Sequence, residues 1–226
     1  MAKKKLTRKD LLKGTDEFLT LSDRAARFFS SHTRELKYVG IALAVIVVVY
    51  LSIFTYMRHI NKKGQEAYNV AYDSMADNLK PETDPEALKR SEKLFEDVVN
   101  EYGRSRAARL ALPQIGYIKF TEKEYDDAIL SYRDFADKIS GDKEYEALAN
   151  LALAACFEAK GDLKEAIAVL VSIVKAEQNP FRETAMLSLE RVYRLDNQRE
   201  KADEILKEFV QAYKTSPFLP MVKARL

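Results

Sequence analysis

From Tyr38 to Tyr56 the chain reads YVGIALAVIVVVYLSIFTY, a run without a single charge, and beyond it apolar positions recur at three- and four-residue spacing to the C-terminus. The first pattern has the length and composition of one helix crossing a bilayer. The second is that of amphipathic helices, each burying one face. Together they predict an all-α chain with one N-terminal transmembrane helix followed by a helical solenoid. A cleavable signal peptide has an apolar core of roughly 7 to 15 residues and a small-residue site after it. Here 37 residues precede the run, and Met57, Arg58, His59 and Ile60 follow it, so the segment reads as a retained anchor. The expected organisation is a basic cytoplasmic head (1–37), a transmembrane helix (38–57) and a helical-repeat body (58–226).

Turn signals divide the body. They lie at Lys80–Pro85, Tyr102–Ser105, Phe120–Glu124, Ser140–Lys143, Lys160–Leu163, Glu177–Pro180, Asp196–Arg199 and Thr215–Pro217. The intervals predict about four antiparallel pairs: 61–79 with 86–101, 105–120 with 124–139, 143–160 with 163–178, and 181–196 with 199–214. With no Pro between Arg58 and Leu79, the first of these helices is expected to continue from the anchor. Three segments superpose: EKEYDDAILSYRDF, KGDLKEAIAVLVSI and NQREKADEILKEFV. Each places an alanine (Ala128, Ala166, Ala202) after a turn, a large residue four positions on (Tyr132, Leu170, Leu206) and another three further (Phe135, Ile173, Phe209). A fainter copy has Ser91, Phe95 and Val98. Such self-similarity is the signature of a stacked-repeat architecture.

The repeats resemble the tetratricopeptide family, most closely from Ala147 to Pro180, where Gly161 and Asp162 make the turn. In this light Gly116 and Ala154 let a first helix approach its partner, and Ala128, Ala166 and Ala202 do the same from the other side. The sequence departs from the family at several points. It has no Trp, Pro113 enters a first helix early, Glu190 stands where a small residue is expected, and the spacings exceed the family's unit by a few residues. Pairs of this kind stack because one pair cannot bury its apolar face alone. Ser216–Leu226 is too short for another pair and is expected to cap the last one. The resemblance also implies a groove lined by first helices that binds segments of other proteins. Its candidates here are Tyr117, Phe120, Leu151, Glu158, Arg191 and Arg194.

The segments ARFFSSHTRELKYVG, QEAYNVAYDSMA, EYGRSRAARLAL and SPFLP, with the single span between them, also resemble the bacterial inner-membrane proteins known as ancillary subunits of the Sec translocon. That resemblance implies a Gram-negative origin and a periplasmic body. It further implies contacts with the translocon, a periplasmic chaperone or client polypeptides.

Charge adds an orientation. Residues 1–37 carry ten Lys and Arg, whereas the near C-terminal flank carries Arg58, Lys62 and Lys63. The positive-inside rule then expects a cytoplasmic N-terminus and a translocated body. Residues 64–226 hold 24 Lys plus Arg against 30 Asp plus Glu, a net of −6, and residues 1–63 hold 13 against 5, a net of +8. An acidic body argues against nucleic acid as a partner. Between Leu6 and Phe29 apolar and charged residues alternate in a way compatible with either an amphipathic surface helix or a topology-setting tail. Gly40 and Ala44 form a small-xxx-small face suited to homo-oligomerisation through the span.

The body contains no histidine, and its one cysteine, Cys156, sits in the apolar run ALAACFEA. No P-loop, GxSxG or GxGxxG pattern occurs, so neither an enzyme nor a bound cofactor or metal is expected. Two other roles stay open at this level: a cytoplasm-facing membrane adaptor, and a structural scaffold in an envelope or cell-division assembly.

Overall fold

The apolar run folds within one long helix, α1 (Thr33–Asn78), in the computed structural model, which describes residues 23, 24, 26–78, 85–139, 141–176 and 178–226. Most of the alternating segment Leu6–Phe29 lies outside the described residues. The chain divides into two units, Met1–Tyr56 and Met57–Leu226. In the first, residues 38–56 of α1 carry no charge, and their large apolar side chains stand open: Ile41, Leu43, Ile46, Val48 and Leu51 are all more than half exposed. A helix of this kind is long and apolar enough to cross a membrane, with mean hydropathy 2.4 over its most apolar window. The Ser52 hydroxyl is satisfied within the helix, donating to the Val48 carbonyl at 2.8 Å. A Cβ added at Gly40 would meet nothing within 4 Å, so that small-residue face is open.

The second unit begins with the remainder of α1 and continues through α2 (Pro85–Glu101), α3 (Arg106–Thr121), α4 (Tyr125–Lys138), α5 (Lys143–Lys160), α6 (Leu163–Lys175), α7 (Arg182–Leu195), α8 (Arg199–Ala212) and the short α9 (Leu219–Arg225). From α2 to α9 each helix packs on the next in sequence. The end of α1 packs on α2 through Ala71, Met75 and Phe95, so the expected pairs form, most bounds shifted by no more than two residues. The largest difference is α6, which ends at Lys175 and not at residue 178. The chain there turns toward Pro180, which disfavours helix in the residue before it, and the Asn179 side chain accepts from the Phe181 amide at 2.9 Å.

The repeat register is the register of the core. Ser91, Ala128, Ala166 and Ala202 are completely buried, and the large residues that follow them, from Phe95 and Val98 to Leu206 and Phe209, are buried as well. Facing them, Gly116 lies so near the second helix that an added Cβ would come within 2.9 Å of the Tyr132 ring. Ala154 takes the same place one repeat on and is also buried.

The turns between paired helices recur in backbone form. Gly161 adopts φ +91°, its amide bonds the Glu158 carbonyl and that of Asp162 bonds Phe157, which is a Schellman cap. Lys123 (φ 66°) and Asn197 (φ 60°) close α3 and α7 with the same two bonds, to Phe120 and Lys119 and to Arg194 and Tyr193. Each of these three residues precedes its buried alanine by five positions.

At the C-terminus α9 covers the last pair, as expected of Ser216–Leu226. Val222 is fully buried in the same apolar cluster as Leu206 and Phe209. The Ser216 hydroxyl donates to Glu183. Glu190, in the place of Gly116 and Ala154, is itself fully buried. The Arg194 Nε donates to one of its oxygens, and Arg225 Nη1 of α9 donates to the other at 2.9 Å.

Candidate protein-binding groove

The first helices carry the six candidate groove residues in a regular register. Phe120, Glu158 and Arg194 occupy equivalent positions on α3, α5 and α7, each three residues before the left-handed turn residue. Tyr117 and Arg191 are equivalent one helical turn earlier, with Ala155 between them on α5. Leu151 lies a further turn back, half-buried against the core.

The structure separates these residues by what they touch. Tyr117 is 42% exposed. Phe120 is half-buried, its ring 5.6 Å from that of Tyr125 on α4. Glu158 and Arg191 meet across adjacent repeats in a two-pronged pair at 2.7 and 2.8 Å. That pair raises the Arg191 pKa above its ordinary value, chiefly through the hydrogen bond. Arg194 binds Glu190, reaches Asp203 of α8 at 3.0 Å and donates to the Arg225 carbonyl at 3.3 Å. The stripe is thus aromatic and open near α3, and ionic and internally engaged on α5 and α7. Sequence reasoning missed that engagement, although a Glu and an Arg placed 33 residues apart, close to one repeat, were a signal for it.

A second ionic group lies at the turn end of α3. Lys119 Nζ bridges Glu92 of α2 at 2.7 Å and Glu124 at 2.8 Å. Burial alone would lower the Lys119 pKa, but the two carboxylates outweigh it and hold the ammonium above its ordinary range. Glu122 is shifted upward, first by burial and then by Glu92 and Glu124. These groups tie the first pair to the second. Cys156 is completely buried and its thiol is pushed up to about 11 by burial, so it is a packing residue and not a nucleophile. No group of three or more His, Cys, Asp or Glu placed to hold a metal occurs among the described residues.

A family profile described as a tetratricopeptide repeat-like domain matches residues 28–184. No curated protein matches the sequence at a significant level. Among solved structures, the chain is similar to the nearly identical TPR-like repeats of a kinesin light chain from Podosopora anserina, with 17% identity and a TM-score of 0.52, over 67% of this chain and 76% of that one. A point variant of the same repeats gives 16% identity and a TM-score of 0.54, over 70% and 78%. The apo form of RapI gives 14% identity and a TM-score of 0.53, over 70% of this chain and 44% of RapI. At such identities the likeness is one of fold.

Proposed function

Since the chain belongs to the tetratricopeptide repeat-like domain family, we propose that it is a non-catalytic, membrane-anchored scaffold whose stacked helix pairs bind other proteins. The observation that carries this reading is the aromatic end of the first-helix stripe, where Tyr117 is exposed beside the half-buried Phe120. An exposed aromatic residue flanked by a half-buried one is the kind of anchor on which protein interfaces concentrate their energy. The partner is a polypeptide segment that places an apolar side chain beside Tyr117 and Phe120. The internal pairing of Glu158 with Arg191 makes that end of the stripe a poorer point of attachment.

In the same reading, residues 38–57 cross the bacterial inner membrane once, the N-terminus is cytoplasmic, and the repeat unit works in the periplasm beside the translocation channel or its chaperones. The charge excess before the span supports the orientation. The resemblance to ancillary translocon subunits supports the location and the partners. Protease added to intact spheroplasts is expected to digest the repeat unit. Protection until lysis would turn the protein into a cytoplasm-facing adaptor.

Tyr117→Ala is expected to weaken capture of the bound partner about tenfold, in line with loss of an interface aromatic, with unchanged far-UV circular dichroism. Combining it with Phe120→Ala should weaken capture further at some cost in stability, because Phe120 also packs on Tyr125. Pull-down with quantitative immunoblotting measures both. Full retention of partner by the double variant would remove the groove assignment.

A further inference from the structure

We infer that Arg104, Arg106 and Arg109, together with Arg58 and Lys62, form a surface of the repeat unit that binds anionic phospholipid headgroups. The inference rests on reading residues 38–57 as a membrane span. Three stretches of the repeat unit carry three Lys or Arg each and no carboxylate side chain: MRHINKKGQ (57–65), YGRSRAARLALPQIGYI (102–118) and FVQAYKTSPFLPMVKARL (209–226). In the third Arg225 is engaged by Glu190; the first two are distant in sequence, and the fold joins them. The Arg106 amide donates to Asn61 Oδ1 at 2.9 Å. Gly64 approaches Ser105 so closely that an added Cβ would stand 2.7 Å from its hydroxyl.

Arg58, Lys62, Lys63, Arg104 and Arg106 are exposed and Arg109 is half-buried. Of these six, only Lys63 has a carboxylate partner among the described residues, Glu66 at 3.0 Å. Elsewhere in the unit Lys119, Lys160, Arg182, Arg191, Arg194 and Arg225 are all ion-paired. Other surface cations, Lys164 and Lys207 among them, also lack an ion pair among the described residues, but they stand singly along their helices, whereas these are brought together by the Asn61–Arg106 contact on a unit whose net charge is negative. Arg106 and Arg109 also line an open cleft of about 1010 Å³, together with Leu110, Ile139, Asp142 and Glu144.

Chain connectivity selects the occupant. Asn61 lies five residues beyond Tyr56, about 7.5 Å along a helix. That is within the roughly 8–10 Å over which a charged surface is felt at ordinary ionic strength. Juxtamembrane Lys and Arg are drawn to anionic lipid over this range. A soluble acidic peptide would meet the same charges, but headgroups are supplied at the high effective concentration that tethering gives.

The test uses the full-length protein in nanodiscs of phosphatidylcholine containing a minority of phosphatidylglycerol, with retained lipids counted by native mass spectrometry. The wild type is expected to retain phosphatidylglycerol preferentially. Combined Arg104→Gln, Arg106→Gln and Arg109→Gln should lower that preference, by up to about fivefold per arginine removed. Arg58→Gln with Lys62→Gln should act in the same direction and decides the matter if the triple variant loses helicity. Lys164→Gln with Lys207→Gln, which removes charge elsewhere, should change nothing. An undiminished preference in both patch variants overturns the proposal, as does a wild type with no preference. A poly-glutamate peptide that binds wild type and not the triple variant, without any lipid preference, would assign the surface to a protein and overturn it too. Resistance to alkaline extraction reports the span independently. Its loss in the wild type would remove the anchor reading itself, whereas a retained span without lipid preference removes only this surface.

Discussion

Ala166→Arg is expected to abolish cooperative folding of the repeat unit around α5 and α6, with a loss above about 4 kcal/mol, the range reached when a charge is forced into a core. Ala166 is completely buried, and it sits beside Leu170 and Ile173 in an apolar cluster that extends from Ala128 to Val222. An arginine there has to push the two helices apart, or leave its guanidinium without water or a carboxylate. The structure also supplies the control. Ser91 occupies the equivalent place in the first pair, where its hydroxyl lies 2.9 Å from that of Ser74 and donates to the Ala87 carbonyl at 3.1 Å. Ala166→Ser should therefore keep the fold at a cost of about 1 kcal/mol, since a hydroxyl can bond back within its own helix. Urea unfolding followed by circular dichroism separates the two outcomes. A cooperative, near-native transition for Ala166→Arg would show that the alanine register does not mark the helix crossing.

The second large effect concerns Glu190. Arg194→Ala combined with Arg225→Ala should destabilise α7, α8 and α9 by about 3–5 kcal/mol, the usual cost of leaving a buried charge uncompensated. Both partners donate to the Glu190 carboxylate, which has no exposure of its own. Adding Glu190→Ala to the double variant should recover most of the loss, because a small residue at this place is what α3 and α5 already carry in Gly116 and Ala154. A double variant that is no more stable with Glu190→Ala than without it would show that the arginines act through other contacts. Hydrogen exchange on residues 182–226 measures the effect where it is expected to fall. The ionic group also ties α7 to the short helix α9, whose Val222 is buried in the same apolar cluster.

Much of this fold is legible in the sequence because one rule repeats. A small residue after each turn, with large ones four and seven positions later, locates Ala128, Ala166 and Ala202, and the helix bounds follow within three residues. Local chemistry also fixes the glycine turn at Gly161. What escapes the sequence is whatever depends on a partner far along the chain. Glu190 reads as a breach of pattern until Arg225, 35 residues away, is seen beside it. Glu158 and Arg191 read as groove residues, and each is engaged by the other. The left-handed turn at Lys123 is hidden because lysine has no preference for that backbone, and it is held there by the two capping bonds to Phe120 and Lys119. Nor does the sequence show that the stretch after the span meets Arg106, since the Asn61 contact joins residues 45 positions apart.

The three left-handed turns have a consequence for how such a chain changes its length. At Lys123, Gly161 and Asn197 the backbone turns through a positive φ with the same two capping bonds, at the same distance from the next buried alanine, whatever residue occupies the place. Cut at these points, the chain yields blocks with matching ends, 124–161 and 162–197. A tandem duplication of either would join one turn to an identical turn and add a helix pair in phase. The Glu190 closure and the N-terminal helix would be untouched. Gene rearrangement thus has ready joints here, by which the number of helix pairs can be reset in whole units.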